Sequence, residues 1–99
     1  MRILIVDDTE IHHMSADQTL KGHEVMHART HFLGEVALIL QTDPKIIMET
    51  LTEAGYSEEH IYKYEIAESI QGKLENAGMY KPDPFDVVLL DLLMPTSTR

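Results

Sequence analysis

Ile3-Leu4-Ile5-Val6-Asp7-Asp8 and Val87-Val88-Leu89-Leu90-Asp91 are the two stretches that decide the fold of this chain. Each is a run of four aliphatic residues with no polar alternation, closed by acid. Such a run reads as a strand buried on both faces, as in a parallel sheet. If the two strands are parallel and adjacent, their carboxyl ends bring Asp7, Asp8 and Asp91 to one crevice, the place where open α/β sheets bind ligands. Three carboxylates there repel one another unless a cation joins them, and the expected cation is Mg²⁺. The plainer alternative is that each Asp merely starts a turn or caps a helix, as Asp often does. Three acids, all at strand ends, weigh against it.

The chain between these stretches divides in two. Thr9 to Lys21 is polar, with Ile11, Met14 and Leu20 spaced as a helix face, and Gly22 is a stop signal. His23 to Ala28 alternates weakly and reads as a second strand. Phe32, Val36 and Leu40, with Ala37 and Ile39, mark a second helix that ends before Asp43-Pro44. Residues 1–42 therefore read as βαβα. Over 43–82 the signal is mainly helical. Asp43 is a good N-cap, Pro44 suits a first turn, and Ile46, Ile47 and Leu51 share a face up to Ala54-Gly55. Ser57-Glu58-Glu59 opens a further helix in which Tyr62, Ile66, Ile70 and Leu74 recur every four residues, with Gly78 near its end. The expectation is a helical hairpin whose apolar face packs into the core or meets a partner. The alternation Ile61 to Ile66 leaves a strand reading open, paired with Ala37 to Gln41.

RILIVDD near the start, GHEV some way on, and DVVLLDLLMP resemble the receiver domain of bacterial two-component response regulators. The ending Asp91, Met94, Pro95 is the most specific piece, and the resemblance covers residues 1–42 and 83–96. It implies a flavodoxin-like α/β fold with a parallel sheet. It also implies that Asp91 accepts a phosphoryl group from a sensor histidine kinase or phosphotransfer protein. Asp7 and Asp8 would hold Mg²⁺ together with Asp91, and the backbone carbonyl of Leu93 would complete the ligands. Such a protein is a signalling acceptor and not an enzyme in the ordinary sense, and its place is the cytoplasm.

Composition agrees with one small domain over residues 1–99, able to bury a single modest core. Absent cysteine removes disulfides and thiolate metal sites. No apolar stretch approaches a membrane span, and nothing at the N-terminus reads as a signal peptide. Eight basic against 17 acidic residues give a net charge of −9, which argues against nucleic acid as a partner of this segment. A hydrolase of flavodoxin-like type would want a Gly- or Ser/Thr-rich phosphate loop after the first strand, and none is there. The six histidines include an interval-of-four set, His23, His27 and His31, and the adjacent pair His12-His13. Nothing in the spacing gathers them, so they are expected to be solvated surface groups.

Two departures from the receiver pattern stand out. The helical segment 43–82 intervenes before the acceptor strand. The resemblance also implies a fourth strand ending in Ser or Thr and a fifth ending in Lys, and neither has a counterpart in residues 1–99. With strand order 2-1-3 only, the fold would be an incomplete receiver, and the acceptor strand would be an edge exposing Val87 to Leu90. The expectation is a piece of a longer polypeptide, or a chain that completes its sheet by association. A homodimer through that edge or through the inserted helices is one form of this. The alternative function is then a receiver-derived interaction module without phosphotransfer.

Overall fold

A strand that buries consecutive aliphatic side chains needs a hydrogen-bonded neighbour along each edge. The computed structural model, which describes residues 1–56 and 63–91, gives β1 (Arg2–Val6) both neighbours. β2 (Glu24–Ala28) pairs with one edge and β3 (Val87–Leu90) with the other, both parallel, in the order β2-β1-β3. The register sets Val6 opposite Ala28 on one side and Leu90 on the other. One more rung follows on each side. Asp7 N–H donates to the Ala28 carbonyl at 3.0 Å, and Asp91 N–H donates to the Val6 carbonyl at 3.0 Å.

Four helices accompany the sheet among the described residues, and the chain is an α/β protein. α1 (Glu10–Thr19) joins β1 to β2, and α2 (His31–Leu40) follows β2. The Thr30 side chain caps α2 by accepting from Leu33 N–H at 3.1 Å, and Gln41 ends it in the left-handed region at φ 51°. α3 (Pro44–Ala54) starts as its sequence suggests: Asp43 accepts from Lys45 N–H at 2.9 Å, and Pro44 occupies the first turn where no N–H is needed. Gly55 closes it at φ 74°, a conformation open to glycine at little strain. α4 (Lys63–Asn76) completes the hairpin. No helix among the described residues is long and apolar enough to cross a membrane.

The core lies on one face of the sheet. Leu4 and Val6 of β1, with Met26 and Ala28 of β2, meet Phe32, Leu33, Val36, Ala37 and Leu40 of α2. Ile47 and Leu51 of α3 and Ile66, Ala67, Ile70 and Leu74 of α4 close it. The apolar stripe read from the sequence of 43–82 is thus packing, and the hairpin is part of the core. The strand reading of Ile61 to Ile66 is not what forms, since Lys63 to Ile66 are helical and Ala37 to Leu40 belong to α2. Ile61, Tyr62 and the Ser57 to Glu59 start lie outside the described residues.

On α1 the structure corrects the expected face. Ile11 and Met14 are 65% and 57% exposed, and His13 is the buried residue at 1%. The helix is rotated by hydrogen bonds to that imidazole, described below. Among the described residues β3 is paired along its β1 side alone, and Val88, Leu89 and Leu90 keep 39%, 47% and 46% of their surface exposed.

Gly34 records how closely α2 lies on β1. A Cβ there would fall 2.8 and 2.9 Å from the two methyl carbons of Val6. Gly34→Ala gains about 1 kcal/mol of helix propensity but forces an overpacked contact that costs about 1–3 kcal/mol. The expected outcome is net destabilisation in urea unfolding, partly relieved when Val6→Ala is added, so that the double variant loses less than the two single losses together. Strict additivity would show that the close approach is not what limits position 34.

Candidate metal centre

The turn that leaves β1 is built on the Asp7 side chain. Its Oδ1 accepts from Thr9 N–H at 2.8 Å, which bends the chain into α1. Its Oδ2 lies 2.7 Å from His12 Nδ1, on the first turn of that helix. The Asp7 carbonyl lies 2.8 Å from His13 Nε2. Asp7 is itself buried, at 7% exposure. Burial pushes its carboxyl up, but the Thr9 N–H, the His12 contact and the nearby His13 outweigh this and leave the group below its ordinary value.

Across the crevice stands Asp91, fixed by its backbone bond to Val6. One ligand atom each of Asp7, His12 and Asp91 lies within 4.8 Å of the others. The crevice encloses about 270 Å³ and is lined by Ile5, Asp7, His12, Ala16, Leu89, Leu90 and Asp91. An apolar wall therefore faces two carboxylates and an imidazole. Asp8 is exposed, and its Oδ1 accepts from the Thr9 hydroxyl at 3.3 Å. It stands beside this group, not within it. The structure thus brings together Asp7 and Asp91 of the expected set, leaves Asp8 at the rim, and adds His12. Leu93, Met94 and Pro95 lie outside the described residues.

His12 and His23 are exposed, as expected of surface histidines, but His13 and His27 depart from that state. His13 Nδ1 lies 2.6 Å from His27 Nδ1, and His27 Nε2 lies 2.8 Å from Asp17 Oδ1. The two rings meet edge to face at 69°, with centroids 4.8 Å apart. The carbonyl of Asp7 and an ionised Asp17 can only accept, so each outer contact takes a ring N–H. The inner contact needs one N–H more. The row Asp17–His27–His13–Asp7 thus runs from the surface of α1 to the turn that holds the crevice. The interval-of-four set does not form a site: His23 lies 3.2 Å from the N-terminal amine, and His31 lies 3.9 Å from Glu35.

His12 is the residue that sequence reading missed. The available signal was its position five residues after an acid at a strand end, in the first turn of a helix. No protein-family model, curated protein or solved structure matches the chain.

A carboxyl held below its unfolded value contributes stability that is present above about pH 4 and is lost as pH falls through the folded value. Asp7→Asn is therefore expected to flatten the acid limb of stability. Urea midpoints of the variant should fall less steeply below about pH 4 than those of the native chain. Parallel acid limbs would rule out Asp7 as a source of that dependence.

Proposed function

We propose that this chain is a phospho-acceptor signalling domain of the receiver type, with Asp91 as the acceptor. The observation that carries the reading is the parallel pairing of β1 with β3, which sets Asp7 and Asp91 side by side at the carboxyl ends of neighbouring strands. The donor would be a phosphohistidine of a sensor kinase or phosphotransfer protein. An Asp91 oxygen attacks phosphorus, the P–N bond breaks, and the imidazole nitrogen leaves with the bonding pair, giving an acyl phosphate on Asp91. Asp7 and Asp91 offer the oxygen donors that Mg²⁺ takes, with Asp8 within reach through water and the Leu93 carbonyl as the further ligand implied by the family pattern. Bound Mg²⁺ offsets charge on the transferring phosphoryl group. Asp7 is preorganised for this by Thr9 and His13.

A second reading has an observation of its own. The exposed aliphatic side chains of β3 fit an interaction module that pairs through this strand, without phosphotransfer. It would place a second copy or another chain against the open edge.

Backbone NMR with Mg²⁺ and beryllofluoride, which mimics an acyl phosphate, separates the two. The phospho-acceptor reading expects shifts centred on Asp7, Asp8, His12 and Asp91, abolished by Asp91→Asn. Spectra that stay unchanged in the native chain would sink it. The interaction reading expects a concentration-dependent mass in sedimentation that Leu89→Lys removes, with beryllofluoride having no effect.

A further inference from the structure

The donor set of the crevice has a composition that the acid-ended strands do not suggest. It holds two carboxylates and one imidazole, with a ligand atom of Asp7, His12 and Asp91 each within 4.8 Å of the others. Donor atoms that share one cation at about 2.1 Å lie about 3–4 Å apart. The set closes on an ion through small side-chain rotations, with the 2.7 Å contact between His12 Nδ1 and Asp7 Oδ2 opening slightly. His12 is free to make that adjustment, because its side chain is 58% exposed on the first turn of α1.

Outer support for the set is also in place. Thr9 N–H fixes Asp7 Oδ1, which leaves Oδ2 aimed at His12, and His13 fixes the Asp7 carbonyl behind it. Metal-ligating side chains ordinarily have such hydrogen bonds behind them, and these set ligand orientation. Ile5, Leu89 and Leu90 line the same crevice.

We propose that His12 is a metal ligand, and that it makes the crevice a site for an imidazole-accepting divalent transition cation of the Mn²⁺, Co²⁺, Zn²⁺ series in preference to Mg²⁺. Mg²⁺ is a hard cation that favours oxygen and retains several waters. Imidazole nitrogen suits the transition cations, whose affinity for a given nitrogen and oxygen site rises from Mn²⁺ through Co²⁺. Asp7 and Asp91 supply charge, His12 supplies selectivity, and water fills the remaining positions. The inference shares its location with the phospho-acceptor reading and rests on it only for that.

Calorimetric titration of the full chain with Mg²⁺, Mn²⁺ and Zn²⁺, paired with Mn²⁺ line broadening in NMR, tests this. Mn²⁺ is expected to bind at least about tenfold more tightly than Mg²⁺, and Zn²⁺ more tightly still. Broadening should centre on the amides of Asp7, His12 and Asp91. His12→Ala and His12→Gln should each weaken Mn²⁺ and Zn²⁺ by about 10- to 100-fold and leave Mg²⁺ within about threefold. Equal affinity for Mg²⁺ and Mn²⁺ would overturn the proposal. So would Zn²⁺ binding that survives both His12 variants, or broadening centred on the His13–His27 pair. A beryllofluoride response that persists alongside such a failure leaves the phospho-acceptor reading standing by itself. Its absence alongside the expected metal series removes that reading and keeps His12 as a ligand.

Discussion

The crevice depends on one feature of the backbone: the ladder of β1 continues a residue beyond Val6 on both sides. Asp7 N–H reaches Ala28 and Asp91 N–H reaches Val6, each at 3.0 Å, so the main chain sets the position of both aspartates. Register is what makes this matter. Side chains alternate along a strand, and a slip of one residue would send the carboxylates and the apolar core residues to opposite faces. The burial of Leu4 and Val6 against α2 therefore fixes the site as firmly as it fixes the core. Val6 is the residue where both meet. Its methyls press on Gly34, while its carbonyl holds Asp91.

A second constraint is polar. Burying an imidazole is unfavourable unless each ring nitrogen finds a partner, and His13 has one at each: the Asp7 carbonyl and His27. Meeting that condition sets the rotation of α1, which turns Ile11 and Met14 outward. The same rotation delivers His12, one residue earlier, to Asp7 Oδ2. The position of the exposed His12 ring is thus a consequence of the buried His13 ring. Both hang from one aspartate, whose carboxyl is stabilised in its charged form by the company it keeps.

How much of this was legible follows from what periodicity measures. Unbroken aliphatic runs gave both strands, but the burial on both faces that such runs suggest holds for β1 and not for β3, whose Val88 to Leu90 stay exposed. Asp43-Pro44 and Gly55 gave the limits of α3, since capping and φ preferences are local, and Ile66, Ile70 and Leu74 gave the buried face of α4. The rotation of α1 was out of reach. A helix-face count scores Ile11 and Met14 as inward, and the partner that outweighs them is His27, on another element 14 residues from His13. The candidate site was half legible for a related reason. The strand ends declared Asp7 and Asp91, but which of Asp8 and His12 joins them is decided by the turn at Thr9, a geometry that no spacing rule expresses.

The exposed edge and the crevice are not separate features. Leu89 and Leu90 line the crevice and are also among the most exposed aliphatic residues of β3. A chain pairing along β3 would cover them and narrow the approach to Asp91, without touching Asp7 or His12. Ligand binding in the crevice would in turn order the wall that such a chain must meet. Two events that share residues in this way have a coupling free energy, and each must alter the other's affinity by the same factor. If the coupling is negative, occupancy of the crevice releases the partner; if positive, it recruits one. Either sign would tie occupancy of the crevice to pairing along β3.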